Sequence, residues 1–180
     1  MGKKSKKRIS KAYWIWFQFS KFDNQKLNKI KRVVNNHLKG PYFSIHLTTI
    51  GPFLKLNKEE FEKIEKIFKK INKFKILLIK YKLTNQKFTS FYIEVKKTKE
   101  LIAAKNRFSK TNYEKQNKKY NPHISLYYGI KDNNTKEAII KKLPKLNKLV
   151  TIDKLCIVDV NEKINKWKII KTIKLKNEKN

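Results

Sequence analysis

The residues best placed to do chemistry are two short, matching stretches, His46-Leu47-Thr48 and His123-Ile124-Ser125. Imidazole, with an ordinary pKa of about 6.5, is the side chain that can either accept or donate a proton near neutral pH. A neutral imidazole can take the proton from an attacking oxygen while a protonated one hands a proton to the leaving oxygen. The Thr48 and Ser125 hydroxyls would donate hydrogen bonds to non-bridging phosphoryl oxygens, where negative charge grows in the transition state. That set is what metal-free attack on a phosphodiester requires. A single His-x-Thr carries little weight, because a strand histidine is ordinarily half-buried with its hydrogen bonds satisfied. Here two of the chain's 3 histidines fall in the same pattern. The other, His37, lacks it and falls near a predicted helix C-terminus, a structural setting that favours partial positive charge.

Such a site works only if strands present it. Residues i and i+2 of a strand share a face, so His46 and Thr48 emerge side by side, as do His123 and Ser125. The pattern predicts a buried aromatic strand at 12–19 and a helix capped by Asp23 and running to Leu38, with Gly40-Pro41 ending it. A motif strand at 44–49 follows, closed by Gly51-Pro52. Asn57 and Glu60 have capping-box spacing ahead of a helix to about residue 72. Strands at 74–83 and 88–95 form a hairpin, and Thr98 caps a helix through 108 and on toward 113. The second motif strand, 123–128, is followed by a helix from 134 or 135 to 142 stopped by Pro144, and then by strands at 151–160 and 167–175. Each motif strand is thus followed by a helix and two strands. The expectation is one domain over 12–176, an α+β fold of two antiparallel sheets with flanking helices around a central cleft, related by an internal pseudo-two-fold duplication.

The chain of 180 residues has 46 basic against 14 acidic residues, a net charge of +32. Arg8, Arg32 and Arg107 are the only arginines. The lysines travel with asparagine and isoleucine along the whole chain, the blend an AT-rich coding sequence produces, whereas specific phosphate readers favour the arginine fork. The field would still draw in anionic substrates and give non-specific RNA affinity. Residues 1–11 read as a disordered basic tail without a cleavage site, so a secretory signal is not expected. No apolar run approaches a membrane span. Cys156 is the lone cysteine, which excludes an internal disulfide and a cysteine-rich metal site and fits an intracellular setting. Two histidines on separate strands without carboxylate partners also make a poor zinc site, and no cofactor motif is present.

The stretches Ser44-Ile-His-Leu-Thr-Thr-Ile-Gly51 and Asn121-Pro-His-Ile-Ser-Leu-Tyr-Tyr-Gly129 resemble the paired motifs of the two-histidine (2H) phosphoesterase superfamily, and within it the plant and yeast cyclic phosphodiesterase branch. The opening strand with Trp16 and the Leu155-Cys156 strand leading to Trp167 follow that branch in order, so the likeness spans residues 12–175. The resemblance implies a bilobal LigT-like fold, catalytic roles for His46 and His123, and phosphate binding by Thr48 and Ser125. It also implies that Tyr128 and Trp16 line the substrate site. The implied activity is metal-independent hydrolysis of a 2',3'-cyclic nucleotide or an ADP-ribose cyclic phosphate by a monomer needing no cofactor. Two alternatives stand beside it: a viral-type enzyme degrading cyclic oligonucleotide immune messengers, and a basic RNA-binding module whose histidine motifs have degenerated.

Overall fold

The computed structural model describes residues 12–107, 120–146 and 148–177. The basic tail 1–11, and the expected continuation of the third helix beyond Arg107, lie outside the described residues.

Strand β1 (Tyr13–Phe19) shows why this sequence makes a sheet with two faces. Ile15, Phe17 and Phe19 point into the core, while Trp14, Trp16 and Gln18 point the other way. Phe17 meets Phe68 and Phe74 edge to face, at ring centroid distances of 6.3 and 5.4 Å. Helix α1 (Lys21–Leu38) begins at Ser20, whose hydroxyl accepts the Asp23 N–H at 3.2 Å. Asp23 is therefore not the cap. Its carboxylate accepts bonds from the Ser20 hydroxyl and the Thr151 N–H, both at 2.8 Å, tying the helix to the sheet. The helix ends on Lys39, which takes the left-handed conformation (φ 52°) ahead of Gly40.

Strand β2 (Leu47–Phe53) starts one residue after His46 and runs on through Gly51-Pro52. This corrects the expectation that Gly51-Pro52 closes the strand. Gly51 has φ 146° and lies against the Trp14 ring, where an added Cβ would come within 2.6 Å of ring carbons, so only glycine fits there. Helix α2 (Lys58–Phe68) carries the capping box expected from Asn57 and Glu60. Strand β3 (Phe74–Leu83) leads through a 3₁₀ turn at Lys87–Thr89 to β4 (Phe91–Val95). Helix α3 (Lys99–Asn106) is capped by Thr98 as expected. Strand β5 (His123–Tyr127) precedes α4 (Asn133–Ile140), whose cap is Asp132. Strands β6 (Leu149–Asp159) and β7 (Lys168–Lys174) complete the fold.

All pairings between strands are antiparallel, in the order β1-β2-β5-β4-β3-β6-β7, with β1 also pairing with β6. The result is the expected α+β architecture, but the two expected sheets are joined into one seven-stranded sheet by the pairings β2-β5 and β3-β6. Strand β6 closes the ring. Leu149 through Ile152 pair with β3, the segment from Lys154 to Asp159 pairs with β7, and the other edge pairs with β1 from Ile152 to Asp159. The hairpins are exchanged: β3-β4 follows β2 in sequence but pairs with β5, while β6-β7 follows β5 but lies beside β1. Among the described residues no helix is long and apolar enough to cross a membrane.

Truncating Phe17 to alanine removes a fully buried ring that two other aromatic rings meet edge to face. Urea denaturation is expected to show a loss of about 3–5 kcal/mol.

Candidate active site

The two motif strands meet at one rung, Leu47 opposite Ile124. Both of these side chains are buried in the core. In an antiparallel pair the flanking residues on either side of such a rung point to the opposite face. One step along the pair sets His46 beside Ser125, and a step the other way sets Thr48 beside His123. All four side chains therefore emerge from one face. Tyr120 joins the two segments further by donating its hydroxyl to the Thr48 carbonyl at 3.3 Å.

The histidines are held in the same way. His46 Nδ1 lies 2.6 Å from the Ser44 carbonyl oxygen, and His123 Nδ1 lies 2.8 Å from the Asn121 carbonyl oxygen, two residues back in each case. A carbonyl only accepts, so Nδ1 carries the proton in both rings and Nε2 is the atom left for chemistry. These bonds were not foreseen from sequence, because the acceptor is backbone and any residue type would serve.

The surroundings of the two rings differ. His46 is 3% exposed and stacks on Trp16 with ring centroids 3.6 Å apart and planes 7° from parallel. Phe43 meets it edge-on at 6.1 Å and itself stacks on Tyr128 at 4.0 Å. The Tyr128 hydroxyl lies 3.5 Å from His46 Nε2. Burial in this aromatic box pushes the His46 pKa down to about 3, with Lys31 and His123 adding repulsion and the Ser44 carbonyl opposing. His123 is partly exposed, with Tyr92 edge-on at 5.1 Å. Burial lowers its pKa too, against the Asn121 carbonyl.

Each expected site residue has a definite place. Thr48 is partly exposed on the open face. Ser125 is nearly covered, its hydroxyl 3.5 Å from the Phe88 carbonyl. Trp16 and Tyr128 are both buried, and they wall in the His46 ring rather than standing free in the cleft. His37 lies on α1, its Nδ1–H donating to the Val33 carbonyl at 2.9 Å and its Nε2 3.3 Å from Lys142 Nζ.

Phe43 and Lys31 escaped the sequence reading. Lys31, 4% exposed, donates to the Phe43 carbonyl and sits 3.3 Å from the centre of the Phe43 ring. Burial brings its pKa down to about 7. A signal was present: Lys31 interrupts the stripe Leu27, Val34 and Leu38, which marks it as facing inward.

No protein-family model matches the sequence, and no curated protein sequence matches it. Similarity appears in three dimensions. TT0787 of Thermus thermophilus superposes with a TM-score of 0.58 at 13% identity, covering 93% of this chain and 99% of that one. A protein described as a phosphoesterase gives 0.57 at 12% identity, over 93% and 99% of the two chains. Escherichia coli LigT in complex with 3'-AMP gives 0.56 at 11% identity, over 92% and 98%. These likenesses establish the LigT-like fold over nearly the full length of the chain.

Because the folded pKa of His46 lies below its unfolded value of about 6.5, the unfolded chain binds more protons across that interval. The stabilisation is complete above about pH 6.5 and is lost as pH falls toward 3. Urea titrations are expected to show a decline of roughly 4–5 kcal/mol over that window, and a His46→Asn variant a shallower slope.

Proposed function

We propose that residues 12–176 form one two-lobed catalytic unit, a metal-independent cyclic phosphodiesterase acting on a nucleotide cyclic phosphate. The observation that carries this reading is the Leu47–Ile124 rung, which sends two imidazoles and two hydroxyls out of one face. The shared Nδ1–H donation supports it, because it directs both Nε2 atoms away from the backbone, His46 Nε2 meeting only the Tyr128 hydroxyl at 3.5 Å among the described residues. Solved structures of LigT, which has the same fold, hold 3'-AMP or NADP+, both phosphorylated nucleotides. The lone thiol, Cys156, is buried and unpaired, in keeping with an intracellular setting.

The unequal surroundings suggest a division of labour. His46, kept neutral by its aromatic box, is the base that takes a proton from the attacking water. His123, more open, carries the proton that passes to the ribose oxygen as its bond to phosphorus breaks. The product is a phosphate monoester, and the two rings end with their charges exchanged. Thr48 and Ser125 hold the non-bridging oxygens. The 3.5 Å bond from Ser125 to the Phe88 carbonyl is at the long limit, so a phosphoryl oxygen can replace that acceptor at little cost. Water-excluding rings around His46 strengthen each of these interactions.

Alanine at His46 or at His123 is expected to lower kcat on adenosine 2',3'-cyclic phosphate by about 10²–10⁴-fold, and Thr48→Ala by about 10²-fold. EDTA should leave the wild-type rate unchanged. Undiminished turnover in either histidine variant would sink the reading.

The pH profile should be displaced toward acid. His123 must be protonated to act, and its pKa lies below the usual histidine value. His46 must be neutral, and it remains so down to about pH 3. Accordingly kcat/KM is expected to peak on the acid side of pH 6.5 and to fall tenfold per pH unit beyond the alkaline limb. A plateau extending to pH 9 would contradict this assignment of roles.

A further inference from the structure

The face that carries His46 and Thr48 does not stop at β2. Trp16 lies opposite Thr48, Cys156 opposite Trp16, and Thr172 opposite Cys156. The neighbouring row runs from Gln18 to Lys154 and on to Lys174, with His46 at its β2 end. Directly paired residues of a sheet share a face, so these side chains belong to the same surface as the first motif. Side-chain bonds agree: Cys156 Sγ lies 3.1 Å from Gln18 Oε1 and 3.5 Å from Thr172 Oγ1. Because the Gln18 carbonyl oxygen is taken by the thiol, its amide N–H₂ is the end left without a protein partner among the described residues.

The chemistry of this strip suits a phosphate. It offers two ammonium groups, an amide donor and a hydroxyl. Lys154 has one acidic neighbour, Asp153, at 3.6 Å, and Lys174 has no carboxylate partner among the described residues. The corresponding strip beside the second motif is different. There Glu94 lies opposite His123, and Lys82 is neutralised by Glu94 at 2.6 Å. An anion extending from the scissile phosphate would meet a carboxylate on the β4 side, and on the β6-β7 side Lys174, unpaired among the described residues, beside Lys154, whose ion pair is long at 3.6 Å.

We infer that Gln18, Lys154, Thr172 and Lys174 form a second phosphate subsite, so the preferred substrate is a nucleotide bearing a further phosphate about 10 Å from the scissile one, two inter-strand spacings across the sheet. The inference rests on the cyclic phosphodiesterase reading and deepens it. A pyrophosphate-containing or oligonucleotide cyclic phosphate satisfies it, whereas a mononucleoside cyclic phosphate leaves the strip unused.

The test compares wild type with the Lys154→Met/Lys174→Met double variant on adenosine 2',3'-cyclic phosphate and on ADP-ribose cyclic phosphate. The double variant is expected to raise KM for the second substrate at least tenfold more than for the first. A control, Lys66→Met/Lys70→Met, removes the same charge from exposed positions on and just beyond α2 and should leave the ratio of the two KM values unchanged. Equal effects of the double variant on both substrates would mean only a loss of long-range attraction and would overturn the subsite, as would no effect on either. Should wild type turn over neither compound, the enzymatic reading itself falls. Equilibrium binding still decides the subsite in that case. Adenosine 3',5'-bisphosphate should bind more tightly than 3'-AMP to wild type, and an advantage that survived in the double variant would refute it.

Discussion

The molecule depends on a narrow contact. The strands that bear the two histidine motifs are joined by a single backbone rung between Leu47 and Ile124. Everything else in the ring acts to hold that rung in place, with β1 on the outer side of β2 and β4 on the outer side of β5. Because side chains alternate along a strand, a slip of one residue on either side would turn an imidazole and its hydroxyl into the core. The register is fixed by burial, since Leu47 and Ile124 are both fully enclosed and moving either out would expose apolar surface. The site and the core are thus two faces of one constraint.

The two motifs share a backbone device and differ in their side-chain surroundings. Both imidazoles are oriented by the carbonyl two residues back, which fixes the same tautomer in each. Around that shared skeleton one ring is sealed by Trp16, Phe43 and Tyr128, while the other is left partly open beside Tyr92. Under the proposed mechanism this inequality favours one arrangement of the pair, with the sealed ring neutral and the more open one carrying the proton. The same inequality extends across the sheets, where one lobe sets Glu94 beside its histidine and the other sets Lys154 and Lys174 along the row that His46 begins.

Much of this was legible in the sequence because it follows from periodicity. The aromatic strand at 12–19, the capping box at Asn57 and the Thr98 cap are local signals, and each has its counterpart in the structure. The His-x-hydroxyl pairs were legible as motifs, and the structure sets their strands side by side. The first cap was misplaced because Ser20 and Asp23 stand three residues apart and both can cap; Asp23 is instead consumed by a long-range bond to Thr151. The end of β2 was misjudged because Gly51-Pro52 has turn composition yet is accommodated against the Trp14 ring. Nothing local could have shown that the hairpins change places, or that Trp16 lies flat on His46. Those facts depend on which strands become neighbours, and sequence spacing does not encode adjacency.

The exchange of hairpins has a further consequence, for how the chain acquires its shape. Strand β6 pairs with β1 near the opposite end of the described chain, from Tyr13 opposite Asp159 to Phe19 opposite Ile152. Pairings of such long sequence separation carry a heavy loop-closure penalty and form slowly. During synthesis the aromatic strand 13–19 must wait with one edge unsatisfied until residues 149–159 have left the ribosome, which is the interval in which an exposed apolar edge invites wrong partners. A chain whose like charges keep copies apart while it waits is better able to survive that delay, which gives the lysine-rich composition a physical use independent of any ligand.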